Sequence, residues 1–364
     1  MIGIVGAGIG GLTAAVALRR VGLDVEVLER APDVRPVGAG LTVQVNAMRM
    51  LAALDLADHV QAAGQVMLDG FIARADGTPL AGMVVSEGWE RPGVGVLRGR
   101  LSRILMDRLP EGTVRCGVAV ATVHDDGRIV DEEGVERHYD AVIGADGIHS
   151  IVRSCLFGPV PLRYAGYTCW RGVSPVPTRE LVERWGAGTR FGSVPVGDGQ
   201  TYWFATANVP EGEPDGPDPV AKLLERYATY EPVVLELIRG ADPILRHDLY
   251  DFAPIPRWTH GRVTLLGDAA HAMTPNMGQG ACQAIEDAVV LADVLGRGGS
   301  LNDYEAARRP RARQFVERSW QMGRLAQWEH PVACWLRDQT MTLTPTWVMA
   351  RQLASTYGVD VPMI

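Results

Sequence analysis

The chain has 364 residues, 47% hydrophobic and 21% charged, enough for about two domains at roughly 100–200 residues each, which excludes a disordered chain and a small stapled module. A formal net charge of −8 argues against a nucleic-acid binder. Five cysteines without paired spacing argue against a disulfide framework and a zinc ribbon, and no stretch reaches the roughly 18–20 uncharged apolar residues of a membrane span.

The β-branched run Ile2–Val5 predicts a buried parallel strand at the start of the sequence. No leader is therefore expected, and the protein is predicted to be cytoplasmic. The strand enters Gly6-Ala7-Gly8-Ile9-Gly10-Gly11. A helix follows over Leu12–Arg20, stopped by Gly22, and a second strand over Val25–Leu28 ends on Glu29. This is G-x-G-x-x-G between strand and helix, with an acid 18 residues after Gly11. Gly6 permits the tight turn, and Gly8 lets the backbone approach a pyrophosphate held at the helix N-terminus. Gly11 lets helix and strand pack closely, and Glu29 can accept hydrogen bonds from a ribose. The fingerprint alone does not separate NAD from FAD.

Past residue 30 the βαβ pattern is interrupted. A helix is expected over Asn46–Leu56, then short antiparallel strands within 68–97, such as Phe71-Ile72-Ala73 and Met83-Val84-Val85. Arg100–Leu109 returns to a helical period, and short strands lead to Ala141-Val142-Ile143. Residues 158–258, rich in Pro, Gly and aromatics, read as a second sheet with an exposed loop at 210–219 and short helices at Val220–Tyr227 and Val233–Ile238. Residues 261–297 are strand then helix, and the remainder is helical. The fold expected is α/β. A Rossmann-like nucleotide-binding domain (1–67, 98–157, 259–297) is interrupted by a mostly antiparallel β-sheet domain (68–97, 158–258), and C-terminal helices occupy 298–364.

Two more strand ends carry acids. Ala141-Val142-Ile143 runs into Gly144-Ala145-Asp146-Gly147, where Asp146 can orient backbone amides or a hydroxyl. Val263-Thr264-Leu265-Leu266 runs into Gly267-Asp268, followed by Pro275, Gly278-Gln279-Gly280 and a helix over Ala281–Leu295. Asp268 can accept a bond from a ribityl or ribose hydroxyl, and the open helix N-terminus favours negative charge on a bound group. Glu286 and Asp287 are expected to be structural. The histidines show no metal-ligand spacing, so no metal is expected.

Together, Gly6-x-Gly8-x-x-Gly11 with Glu29, Asp146-Gly147 and Gly267-Asp268 resemble, in order and spacing over about residues 1–330, the class A FAD-dependent aromatic hydroxylases. Within them the chain is most similar to the branch of urate hydroxylases and zeaxanthin-epoxidase-like proteins. The stretches that carry this are Pro36-Val37-Gly38-Ala39, Arg163-Tyr164-Ala165-Gly166-Tyr167 and Gly278-Gln279-Gly280 with Glu286-Asp287-Ala288.

The resemblance implies FAD as cofactor, NAD(P)H as reductant, O2 as co-substrate and a single-component enzyme. It would hydroxylate a phenolic or urate-like aromatic through a flavin C4a-hydroperoxide. By resemblance Glu29 binds the adenosine ribose and Arg98 lies near the pyrophosphate and ribityl chain. Asp146 serves FAD and NAD(P)H, Asp268 holds the ribityl chain, and Pro275 with the Gly278–Gly280 turn adjoins the isoalloxazine. Arg30 and Arg35 are further FAD candidates, and His271 is a possible contact near the flavin. Arg190 and Tyr202 match two substrate-handling residues of urate hydroxylase. The family's Trp-Asn-Gly is Trp170-Arg171-Gly172 here, and the 80–97 loop, with Trp89, is the chain's own, which weakens the case for urate itself.

Trp170 and Trp203 can wall the pocket, and the plentiful Trp and Met suit either a roomy apolar pocket or, more commonly, plain core. Alternation along a strand forbids Tyr202 and Trp203 from both facing it. Leu325, Trp328, Trp335, Leu336 and Trp347 are expected to cover the second sheet or to form a homodimer contact. The rival readings are an epoxidase or tailoring oxidase acting on a larger intermediate, and a flavin-binding accessory protein without turnover.

Overall fold

The computed structural model describes all residues except 35–38, 85–88 and 363, and the side chains of 83, 84, 346, 347, 349, 350, 352 and 353 are likewise outside it. Arg35, Pro36-Val37-Gly38, Val85 and the Trp347 side chain, named above, therefore lie outside the described residues.

The chain begins β1 (Ile2–Val5), α1 (Ile9–Arg20), β2 (Val25–Glu29), β3 (Gly40–Val43), α2 (Val45–Ala53), α3 (Ala57–Ala63), β4 (Gln65–Met67), β5 (Asp69–Arg74), β6 (Pro79–Val84), β7 (Gly93–Leu97) and α4 (Arg98–Met106). It continues through β8 (Val114–Cys116), β9 (Val120–Val123), β10 (Arg128–Asp131), β11 (Glu136–His138), β12 (Ala141–Gly144), α5 (Ile151–Phe157), β13 (Arg163–Ser174), β14 (Leu181–Trp185), β15 (Thr189–Pro195) and β16 (Thr201–Ala207). The last third holds α6 (Pro219–Arg226), α7 (Pro232–Arg239), β17 (Leu245–Asp251), β18 (Thr259–His260), β19 (Val263–Leu265), α8 (Asp268–His271), α9 (Gly280–Gly296), α10 (Leu301–Ala326), α11 (Pro331–Leu343) and α12 (Thr346–Tyr357).

Strands β19, β12, β1, β2 and β8 form a parallel sheet, with β18 added antiparallel at its edge. Ile4, Val27, Val142 and Leu265 are fully buried because helices cover the sheet, which is why these strands read as continuous apolar runs. Helix α1 packs along α9, so the first and last glycine motifs meet. A second sheet, β17-β13-β16-β15-β14-β5-β6, is antiparallel except for the parallel pair β14·β5. One face of it packs on α6 and α7 through Trp170, Phe191, Trp203, Tyr227 and Leu237. The other faces the end of the parallel sheet.

Several sequence expectations are corrected. The sequence places 68–97 in the second domain, yet β7 pairs with β3 and β4 in a separate three-stranded sheet. Its Gly-Val-Gly-Val alternation fixes a strand but not a partner. Helix α2 stops at Ala53, because Asp55 takes a positive φ of 57°, and α3 follows as a separate helix. Trp335 and Leu336 do not cover the second sheet: they are 58% and 51% exposed on α11.

Candidate active site

The cradle starts where β1 ends. Gly6 has φ +102°, and a Cβ there would lie 2.6 Å from the Ala145 carbonyl oxygen. A Cβ on Gly11 would lie 2.0 Å from the Gly6 carbonyl oxygen, so α1 crosses the turn at a distance only glycine allows. Gly8 differs: a Cβ there would meet nothing within 4 Å, and α1 behind it has no side-chain cap. Open space in front of free helix N–H groups is what a pyrophosphate requires. Gly8→Ala is therefore expected to leave the fold and Tm of the apoprotein unchanged and to weaken FAD binding about tenfold or more. Titration by flavin fluorescence checks this, and unchanged affinity would remove Gly8 from the cradle.

At the end of β2, Glu29 accepts the Ala7 N–H at 2.7 Å and the Ala31 N–H at 2.9 Å, bracing the glycine loop from the side. Asp146 turns toward α5. Its carboxylate takes the Ser150 hydroxyl at 2.6 Å and the Ile151 N–H at 2.7 Å, so it orients backbone there, while its neighbours Ala145 and Gly147 face the cleft. Arg30 is exposed and does not line the cleft.

The cleft itself, about 410 Å³, is lined by Gly8, Arg98, Gly267, Asp268, Pro275, Gly278 and Gly280 on one side and by Arg171, Arg190 and Tyr202 on the other. Gly278 holds φ +61°, and a Cβ there would lie 2.7 Å from Gln44 Nε2. Helix α9 opens at Gly280 without a side-chain cap, with Gly280 and Ala281 on the cleft wall. Its N-terminus favours the negative charge that a reduced flavin carries.

Behind this wall lies a buried ionic network. The Gly267 N–H donates to Asp287 Oδ2 at 3.0 Å; His271 Nε2 meets the same oxygen at 2.6 Å, and Arg308 Nε donates to Asp287 Oδ1 at 2.7 Å. Arg308 and Arg311 donate to Glu286 Oε2 at 2.6 and 2.7 Å, and Asn46 donates to its Oε1 at 2.6 Å. Burial would raise the Asp287 carboxyl, but His271 and Arg308 outweigh it and hold it at about 2. The acids expected to be structural thus fasten the Gly267 turn that forms the cleft wall. His271, expected near the flavin, points into this network and is absent from the cleft lining.

On the opposite side, Arg190 and Tyr202 sit on neighbouring strands, β15 and β16. Arg190 is 2% exposed. Its Nε donates to Gln327 Oε1 at 2.7 Å, Nη1 to Glu183 Oε1 at 2.9 Å and Nη2 to Asn276 Oδ1 at 2.7 Å. Asn276 also donates to the Tyr167 hydroxyl at 2.8 Å and to the Ser319 carbonyl at 2.9 Å, so it ties the sheet to the segment after Pro275. Burial pushes the Tyr202 phenol well above its ordinary range, so it is a neutral donor. Trp170 and Trp203 face α6 and α7 instead of the cleft, because pairing Gly172 with Trp203 puts both tryptophans on the far face. Of the plentiful Trp and Met, only Met273 lines the cleft among the described residues; its apolar wall comes instead from Ile9, Leu41, Val194, Phe204 and Leu266. Trp89 packs edge-on against Tyr357 at 6.0 Å, away from the cleft.

Asn276 and Gln327 were not singled out in the sequence. Asn276 follows Pro275 directly and is reachable from that motif, whereas nothing local marks Gln327.

A glycine cradle with two open helix N-termini, facing a second sheet across one cleft, is the layout of a dinucleotide-dependent enzyme. The FAD binding domain family model matches residues 1–168 and 253–319. The chain is 44% identical to the aurachin C monooxygenase/isomerase of Stigmatella aurantiaca over 93% of both chains. It is 36% identical to the 2-heptyl-3-hydroxy-4(1H)-quinolone synthase of Pseudomonas aeruginosa over 94% of both chains. A Klebsiella pneumoniae protein crystallised with FAD and uric acid superposes with a TM-score of 0.89 at 30% identity, covering 98% of this chain and 96% of that one. The chain belongs to the FAD binding domain family, as an FAD-dependent aromatic hydroxylase of class A. FAD is its cofactor and NAD(P)H its reductant. It is an enzyme, and hydroxylation is favoured over the epoxidase and accessory-protein readings. No described helix is long and apolar enough to cross a membrane.

Proposed function

We propose that the enzyme hydroxylates a fused nitrogen heteroaromatic of the 4-quinolone type, a compound with a carbonyl oxygen on the ring at one end and an apolar substituent at the other. The observation that carries this is the full-length match to a protein named for a heptyl-substituted 3-hydroxy-4-quinolone. The pocket supports it. Arg171 and Tyr202 supply donors for an oxygen carried on the ring, and Val194, Phe204 and Leu41 supply apolar wall.

Glu29, Gly8, Arg98, Asp268, Pro275 and the Gly278–Gly280 turn are proposed to hold the FAD, which when bound takes hydride from NAD(P)H and activates O2. Asp146 acts through the α5 turn it braces. Tyr202, a neutral phenol, donates to the substrate oxygen, while Arg190, pinned by Glu183, Asn276 and Gln327, fixes the sheet above the cofactor. The enzyme is proposed to work in the cytoplasm as a homodimer, to whose interface the exposed Trp335 and Leu336 would contribute.

NADPH and NADH oxidation should be followed with 2-heptyl-4(1H)-quinolone, urate, salicylate and 4-hydroxybenzoate, with products weighed. The quinolone is expected to stimulate most strongly and to gain one oxygen. Preferred turnover of urate or a benzoate would overturn this substrate class. Tyr202→Phe is expected to raise the substrate KM about tenfold, the worth of one hydrogen bond to a polar substrate, with FAD content unchanged. An unchanged KM would mean that the hydroxyl does not touch substrate.

A further inference from the structure

The cleft contains two guanidinium groups in very different electrostatic states. Arg190 is neutralised by Glu183 at 2.9 Å and has hydrogen-bond partners on all three nitrogens. Arg171, on β13, lines the same cleft and is mostly buried, yet no carboxylate lies within 4.0 Å of it among the described residues. Its place on the cleft face is fixed by register: it pairs across to Phe204 on β16 and Leu245 on β17, while Trp170 and Gly172 on either side face α6 and α7.

Among the described residues, the ionisable groups that face Arg171 are Cys169, Tyr202, whose hydroxyl lies within hydrogen-bonding reach of the guanidinium, and His247. None is a counter-ion. Burial raises the Cys169 thiol and the Tyr202 phenol, keeping both protonated, and burial with the Arg171 charge lowers the His247 imidazole, keeping it neutral. A partly desolvated, uncompensated cation is costly to keep in a folded chain, and a ligand anion in the cleft offsets that cost.

We propose that Arg171 is the specificity-determining cation of the substrate chamber: it takes an anionic oxygen of the substrate, an enolate, phenolate or carboxylate, in a charge-assisted hydrogen bond. Arg190 is then a positioning residue, its charge already spent on Glu183. The assignment rests on the proposed heteroaromatic substrate for its role in turnover, but not for the existence of the anion site. Selection falls on ligands that carry their negative oxygen at the edge facing β13 and β16, beside the Tyr202 hydroxyl.

The test uses the FAD-loaded enzyme and Arg171→Met and Arg171→Lys variants. Two probes are titrated by flavin absorbance changes: benzoate, an aromatic anion, and 2-heptyl-4(1H)-quinolone. Wild type is expected to bind benzoate, and Arg171→Met to lose at least about thirtyfold in benzoate affinity, the scale of one charge-assisted hydrogen bond in a partly desolvated site. Arg171→Lys should recover part of it, since a point charge replaces the fork. FAD content should be the same in all three. Benzoate affinity within twofold of wild type in Arg171→Met, or no benzoate binding by wild type, overturns the anion site. Retained benzoate selectivity with no response to the quinolone overturns the proposed substrate class and leaves the assignment of Arg171 standing.

Discussion

Replacing Arg190 with Ala is expected to uncouple the enzyme, sending most NAD(P)H oxidation to H2O2 and lowering kcat/KM for hydroxylation by about a hundredfold. Two effects combine. The substitution leaves the Glu183 carboxylate, only 18% exposed, without its cation, and breaking one side of a buried pair costs about 3–5 kcal/mol. It also cuts the bonds from Arg190 to Asn276 and Gln327, which tie the second sheet to the Pro275 segment and to the end of α10. A roof that shifts by about 1 Å over the cofactor is enough for a hundredfold loss. The check is the ratio of hydroxylated product to NAD(P)H consumed. Coupling equal to wild type would mean that Arg190 has no part in holding substrate over the cofactor. Arg190→Lys is expected to do little better, because a single ammonium cannot meet Gln327, Glu183 and Asn276 in one plane.

The second large effect is expected at Asp287. Asp287→Ala removes one of the two carboxylates that hold the buried Arg308 guanidinium, and leaves the His271 ring and the Gly267 N–H without their acceptor. A loss of about 3–5 kcal/mol follows, with a fall in Tm on the order of 10 °C and loss of bound FAD as the Gly267 turn relaxes. The pH dependence has a definite sign. The folded carboxyl is held at about 2, below an unfolded value near 3.9, so its stabilisation is complete above about pH 4 and is lost as pH falls toward 2. Acid unfolding of wild type should therefore steepen across that window, and Asp287→Asn should flatten it. An acid-unfolding curve with the same slope in both would contradict the network's role.

Much of this was legible in the sequence because its signals are local. The strand, glycines, helix and acid of the first thirty residues occur in one register, and each glycine there answers to a distance: 2.0 Å at Gly11, open space at Gly8. The Gly267-Asp268 and Gly278–Gly280 turns were legible for the same reason, as strand ends that meet a helix N-terminus. Strand alternation correctly separated Tyr202 from Trp203 but not which of the two faced the cofactor. That choice depends on α6 and α7, which bury Trp203 and Trp170 together.

Contacts between distant segments were not legible. Gln327 and Glu183 reach Arg190 from α10 and β14, and Asn276 reaches it from the Pro275 segment, 86 residues away in sequence. Asp287 reads as an ordinary helix acid until α9 is docked beside β19 and α10. The Trp170-Arg171-Gly172 departure was visible as an anomaly. Its meaning depended on the placement of β16 and β17, which leaves Arg171 with no carboxylate within 4.0 Å among the described residues.

We propose that an aromatic substrate sits between the FAD cradle and the β13–β16 roof and there takes one oxygen atom from O2. The most direct measurement is turnover of the FAD-loaded enzyme with NADPH and 2-heptyl-4(1H)-quinolone under 18O2, followed by product mass. One added oxygen bearing the 18O label is expected, at close to one product per NADPH. An added oxygen that comes from water, or NADPH consumed only to H2O2 with every aromatic of the panel, would contradict it.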